Sequence, residues 1–369
     1  MTTTTPGPTR TRGDRAGADP ARRAVGVVPS RLRVGWLVAG SVALAAAFLA
    51  GVALGPVDLP AVQIARLLLD RLPFVELSST LSAREAAIVW QLRLPRVVLG
   101  GLVGAMLATA GAGYQGVFRN PLADPYLLGI AAGAGVGATL VFAYGQGATG
   151  WFIDPLPLAA FAGGLAGVAA TYLLSRSVSG RRDTVSLILA GVAVTAFFTA
   201  VQTFVQQREA DSLRRVYSWL LGHLATTGWH EVRVIAPYVV AAAVVLLAHR
   251  RLLDVLSVGD REAVALGVST ARVRLTVVIA ASLGTAAAVA VSGLIGFVGI
   301  IVPHTVRLLT GSSYRSVLPL SLLFGAAFLI LADLLSRTLL APAEIPIGVV
   351  TAFVGAPFFA WVLRHRRLR

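Results

Sequence analysis

Asp333 and Arg337 stand four residues apart, acid first, in an otherwise apolar stretch of sequence. On a helix that order favours an ion pair. An acid at membrane depth is a candidate for proton or substrate handling, and a structural pair near the end of a span accounts for the same residues at least as well. Arg93 and Arg96 flank Leu94-Pro95 and suit two uses: snorkelling to an interface, or docking with an acidic protein. His304 follows Pro303 in GFVGIIVPHTVRLL. A lone histidine in such a setting serves helix packing more often than metal binding. The other histidines lack metal-ligand spacing, and no nucleophile stands beside a base. No catalytic residue and no metal ligand is therefore assigned.

All 32 basic side chains are arginine. Without lysine there is no Gly-Lys-Ser/Thr phosphate loop and no Schiff-base chemistry. Without cysteine there is no disulfide, thiolate metal site or cysteine nucleophile. The chain is 56% hydrophobic and 13% charged, with mean hydropathy +0.77; a soluble protein carries about 25% charged residues.

Elements that could position these residues follow from the apolar runs. The run 97–117 is uncharged, and at ~1.5 Å per residue it gives roughly 32 Å of helix, about the thickness of a bilayer core. Glycines 100, 104, 111 and 116 within it permit close helix approach, and it breaks at Arg119-Asn120-Pro121. Further runs at 34–54, 127–144, 156–174, 185–205, 232–247, 275–291, 294–309, 317–335 and 347–363 make ten expected spans. Residues 60–72 pattern as an amphipathic surface helix, and Ser212 is a plausible helix cap. Residues 1–33 read as a disordered tail. Its Arg22-Arg23 precedes a run too long for a cleaved signal, so that run is the first span. Ten spans place both termini on one side, which carries 22 of the 32 arginines. The positive-inside rule makes that side cytoplasmic. The net charge of +15 is thus orientation signal, not a nucleic-acid footprint.

On the same side, the segment 255–274 contains SVGDREAVALGVSTARVR. Asp260 is expected to cap a short helix that Gly267 ends, and Thr270 to cap a second. With Ala263, Val264 and Leu266 facing water, this knob fits a docking surface better than a solvated loop.

RLPR at 93–96, GAGYQGVFRNPLADPYLLG at 111–129, SGLIGFVGIIVPHTVRLLTG at 292–311 and AEIPIGVVTAFVGAPFF at 343–359 together resemble the FecCD-type permease family of ABC importers for iron-siderophores, haem and cobalamin. The resemblance spans about residues 34–366. It implies an all-α membrane protein of about ten transmembrane helices with the cobalamin-permease-like (type II) importer fold. It implies a second permease copy, identical or paralogous, two cytoplasmic ATPase subunits that bind the ATP, and an extracytoplasmic substrate-binding protein. No cofactor on this chain is implied. By motif position, Gly259, Asp260, Ala263, Leu266 and Gly267 would dock the ATPase. Arg93, Arg96 and Arg337 would meet acids of the binding protein. Asn120, Pro121, Leu122, Thr184 and Val185 would form a cytoplasmic gate. The setting implied is a bacterial cytoplasmic membrane, with lipid around the chain.

Two other classes fit less well. An ion-coupled secondary transporter would want midplane charges and broken helices, and the sequence offers only Asp333 beside Arg337. A membrane-embedded enzyme would need clustered catalytic groups. Among chelates, a ferric siderophore is expected on family frequency, with haem and cobalamin as alternatives.

Overall fold

The computed structural model describes residues 32–70, 79–145, 154–179, 184–225 and 228–366. Nearly all of the expected tail, residues 1–31, lies outside them, as does the stretch 180–183 before the expected gate residue Thr184. Every regular element among the described residues is helical: α1 (Val34–Ala53), α2 (Ala61–Leu69), α3 (Ala83–Ala87), α4 (Leu94–Phe118), α5 (Ile130–Tyr144), α6 (Pro155–Ser179), α7 (Thr184–Arg208), α8 (Leu213–Leu220), α9 (His230–Ala248), α10 (Arg250–Val258), α11 (Asp260–Ala265), α12 (Thr270–Ser292), α13 (Val298–Thr310), α14 (Tyr314–Thr338) and α15 (Ile347–Arg366). Seven helical stretches are long and apolar enough to cross a membrane. Among the described residues, the shorter apolar helices α5, α13 and α15 fall at three further expected spans.

Several boundaries differ from the sequence reading. A Ser82–Glu85 capping box starts α3, a wide π turn over Ile88–Arg93 follows, and the helix continues unbroken into α4. Pro95 lacks an N–H and its ring would crowd the carbonyl four residues back, a conflict that a π turn accommodates. Pro95 thus lies inside a 36-residue helical stretch from Ala83 to Phe118, not at its start. α5 begins only at Ile130, after a 3₁₀ turn at Pro125–Leu128. α13 begins at Val298 because Gly293 and Phe297 both take positive φ. Ser212 stands at the N-cap of α8 without a capping bond from its side chain; its hydroxyl donates to the Glu209 carbonyl instead. The amphipathic α2 forms as expected and buries Ile64.

α4 is the axis of the bundle. Its most apolar window is 83% buried, against 22% for both α1 and α7. α14, α12, α13 and α9 pack around it. The approach is close because side chains are missing where backbones cross. A Cβ on Gly104 would lie 2.3 Å from the Gly325 carbonyl oxygen, and one on Gly111 would lie 2.1 Å from that of Gly299. α5 and α6 meet by the same device at Gly133 and Gly163, the small-residue packing by which membrane helices associate without a hydrophobic driving force. One core cluster joins α4, α9, α10, α12, α13 and α14, and runs into the short helices α10 and α11 through Leu253, Leu256 and Ala263.

Gly111→Val forces that crossing apart, and overpacking of this kind costs about 1–3 kcal/mol or more. Its thermal midpoint in detergent is expected several degrees below wild type, whereas Gly35→Val, with no atom within 4 Å of the added Cβ, is expected to stay near wild type.

Candidate coupling and gate site

Helices α10 and α11 cap one end of the bundle. α11 closes in a Schellman turn: Gly267, at φ +77, donates its N–H to the Val264 carbonyl at 2.9 Å, and Val268 donates to that of Ala263 at 2.9 Å. The turn leaves Val264 and Leu266 61% and 69% exposed. Ala263, expected to face water, is instead fully buried, because the turn folds that side of α11 onto the core. The expected cap is also corrected. Gly259 occupies the N-cap of α11, and the Asp260 carboxylate turns sideways to accept from Arg274 at 2.7 and 3.0 Å and to pair with Arg119. Ser269, not Thr270, occupies the N-cap of α12, without a side-chain bond. Asp254, which the sequence did not single out, bolts α10 to the start of α14. It accepts from the Tyr314 N–H at 2.6 Å and the Ser313 hydroxyl at 2.9 Å.

The loop from α4 to α5 begins beside this end. Arg119 closes α4 at φ 47, left-handed. The Asn120 side chain accepts from the Leu122 N–H at 3.0 Å and its carbonyl from the Ala123 N–H at 3.0 Å, a local turn with Pro121 in its first corner. Asp124 then caps the 3₁₀ turn, accepting from the Tyr126 N–H at 2.8 Å. Gln115 donates to the carbonyls of Ala123 at 3.2 Å and Gly299 at 2.9 Å, tying the loop to α4 and α13. The expected second gate element is the start of α7, where Val185 is exposed. α7 meets the loop farther along, at Gly191, where an added Cβ would lie 2.1 Å from the Leu127 carbonyl oxygen.

The three expected docking arginines lie at the opposite end, and two of them are buried. Arg93 is 4% and Arg337 3% exposed. Arg93 donates to the carbonyls of Val52 at 3.0 Å, Ala53 at 2.8 Å and Val57, and Arg337 donates to that of Gly51. These include final carbonyls of α1, which a helix leaves without internal partners and which favour a cation. Arg96 donates through Nε and one terminal nitrogen to Asp333, at 2.8–3.1 Å. Its two terminal nitrogens also reach Glu344, at 2.8 and 3.0 Å. Asp333 therefore has Arg96 as its main partner, and its contact with Arg337 is longer, at 3.5 Å. The Arg96 hydrogen bonds hold the Glu344 carboxyl below the usual range.

His304 is 8% exposed, with its ring edge-on to Phe358 at 6.0 Å. No group of three potential metal ligands occurs among the described residues. An apolar recess of about 640 Å³ opens between the α8–α9 turn, the approach to α13 and α15, lined by Leu221, Leu294, Phe297, Val349, Phe353 and Pro357. The sequence reading offered no residue there.

The FecCD transport family model matches residues 43–365. The chain belongs to the FecCD transport family. A FecCD chain is a multi-pass permease, a transport subunit and not an enzyme. This one is 45% identical over 283 residues to the uncharacterized ABC transporter permease protein YvrB of Bacillus subtilis, covering 76% of this chain and 80% of that one. It is 43% identical over 282 residues to the cobalamin import system permease protein BtuC of Halobacterium salinarum, covering 76% and 74%. A solved structure of the metal-chelate ABC transporter type, in an inward-facing conformation, aligns at TM-score 0.78 and 30% identity over 90% of this chain and 100% of that chain.

Burial pushes the Asp124 carboxyl up from 3.8 to about 6. Between those values the folded FecCD chain binds more protons than the unfolded one, so this group's contribution falls as pH rises through the window. Thermal midpoints in detergent, measured from pH 4 to pH 8, should lose this part of their pH dependence in Asp124→Asn, which keeps the oxygen that caps Tyr126.

Proposed function

We propose that this chain is the membrane conduit of an ABC importer that carries a large metal chelate, a ferric siderophore in the first instance, into a bacterial cytoplasm. Two copies, identical or paralogous, enclose the path. Two ATPase subunits bind and hydrolyse the ATP and grip the α10–α11 end, which faces the cytoplasm together with both termini. A substrate-binding protein delivers the chelate to the opposite end, and lipid surrounds the outer helices. The observation that carries this reading is the knob itself. Val264 and Leu266 stand exposed on a closed turn that the core and Asp254 join to α12 and α14, so force applied there reaches the spans. The Asn120–Leu122 turn and the start of α7 at Thr184 and Val185 serve as the cytoplasmic gate. At the far end, an acid of the binding protein would take the place of Glu344, whose half-exposed carboxylate covers Arg96. Arg93 and Arg337 hold that arrangement in place from within.

A second cargo, cobalamin, is favoured by the name of the 43%-identical halobacterial relative. It shares the required chemistry, a bulky chelated metal held by weak contacts.

Co-expression with its ATPase subunit tests the grip: Val264→Asp with Leu266→Asp should cut co-purified ATPase at least tenfold without lowering the thermal midpoint of the permease. In proteoliposomes holding the full complex, ATP should drive uptake of labelled ferric siderophore over labelled haem and cobalamin. Uptake by the permease alone under a proton or sodium gradient would sink the reading.

A further inference from the structure

We propose that Arg119 and Arg274 are positioning residues for transport, and that the Asp260 carboxylate between them carries the motion of the ATPase-bound knob to the gate turn. This rests on the coupling function argued above.

Asp260 is the first residue of α11 and joins three elements through one carboxylate: α11 itself, Arg119 at the last turn of α4 and Arg274 in the second turn of α12. Both Asp260 and Arg119 also suit their helix ends, an acid at an N-terminus and a cation at a C-terminus. Arg119 holds a left-handed backbone conformation, one that glycine or asparagine usually fills where a helix stops. An arginine there is costlier than glycine for the backbone, and its side chain is what reaches Asp260.

Packing ties α10 to α4 one turn earlier, where Leu253 lies beside Gly116. A cavity of about 200 Å³, lined by Gln115, Arg119, Pro121, Ser257, Arg307 and Tyr314, separates the gate turn from the end of α10. α11 has six residues and buries one side chain, Ala263. The Asp260–Arg119 pair is therefore a direct lateral contact between α11 and the residue that begins the turn. Asn120 follows Arg119 directly, and the Asn120–Pro121 turn is closed by its own hydrogen bonds, so displacement of Arg119 moves the turn as a unit. Side chains at Asp260 and Arg119 are 47% and 38% exposed, and pairs this wet add little to stability. Removing them should spare the fold and change the coupling.

The test uses the complete transporter in proteoliposomes and reads chelate transported per ATP hydrolysed. Arg119→Gly is the informative variant, since glycine relieves the backbone while deleting the charge. Arg119→Gly, Arg119→Gln and Arg274→Gln should each keep ATPase co-purification and ATP hydrolysis within about twofold of wild type, while transport per ATP falls at least tenfold. Arg119→Gln combined with Asp260→Asn should be no worse than Arg119→Gln alone, because both break the same Asp260–Arg119 connection to the turn. Wild-type transport per ATP in Arg119→Gly overturns the proposal. So does loss of ATPase co-purification in Asp260→Asn, which would make Asp260 a docking residue. A wild-type complex that transports without ATP overturns the coupling function itself, a different failure from the first two.

Discussion

Two backbone carbonyls, those of Gly299 and Gly325, occupy the space where side chains on Gly111 and Gly104 would project. That contact brings α4 within backbone distance of α13 and α14, and the rest of the bundle is laid out around it. In a bilayer the apolar surface of a helix gains nothing from leaving lipid, so close packing must bring helices together. α4 is accordingly lined with glycine and alanine along its length, and it carries hydrogen-bonding and charged residues at both ends. Arg93 and Arg96 lie at its entry. Gln115, Arg119 and the Asn120–Pro121 turn lie at its exit.

Charges in this molecule do structural work before any other. Arg93 and Arg337 complete the open carbonyls of α1, and Arg96 spans from Asp333 on α14 to Glu344 beyond it. Three helices are joined this way at a depth where an unpaired guanidinium would be costly. At the other end Asp254 and Asp260 play the matching part, fixing the short helices to α14, α4 and α12. Each end of the bundle thus has an ionic frame, with one more exposed element set upon it: Glu344 at one end, Val264 and Leu266 at the other.

Much of the outline is legible in the chain before folding. Ten apolar runs give the spans, glycine spacing marks helices that approach closely, and arginine placement indicates a side. The lack of lysine excludes a phosphate loop on this polypeptide. Gly267 marks the end of α11 because few other residues take its backbone angles. The motifs at 111–129 and 292–311 carry enough specificity to indicate the family to which the chain belongs.

What folding decided is where side chains point, and the reason lies in sequence distance. Arg96 meets a carboxylate 237 positions away, and Arg337 a carbonyl 286 positions away; no local pattern encodes either pairing. For the same reason Ala263 turned inward while Val264 beside it did not, and Asp260 became a bridge between helices instead of a cap. Local rules operate over the few residues of one turn, so they place helices and their ends. Only the packed bundle brings α4, α12 and α14 together, and with them the partners that give each charged residue its task.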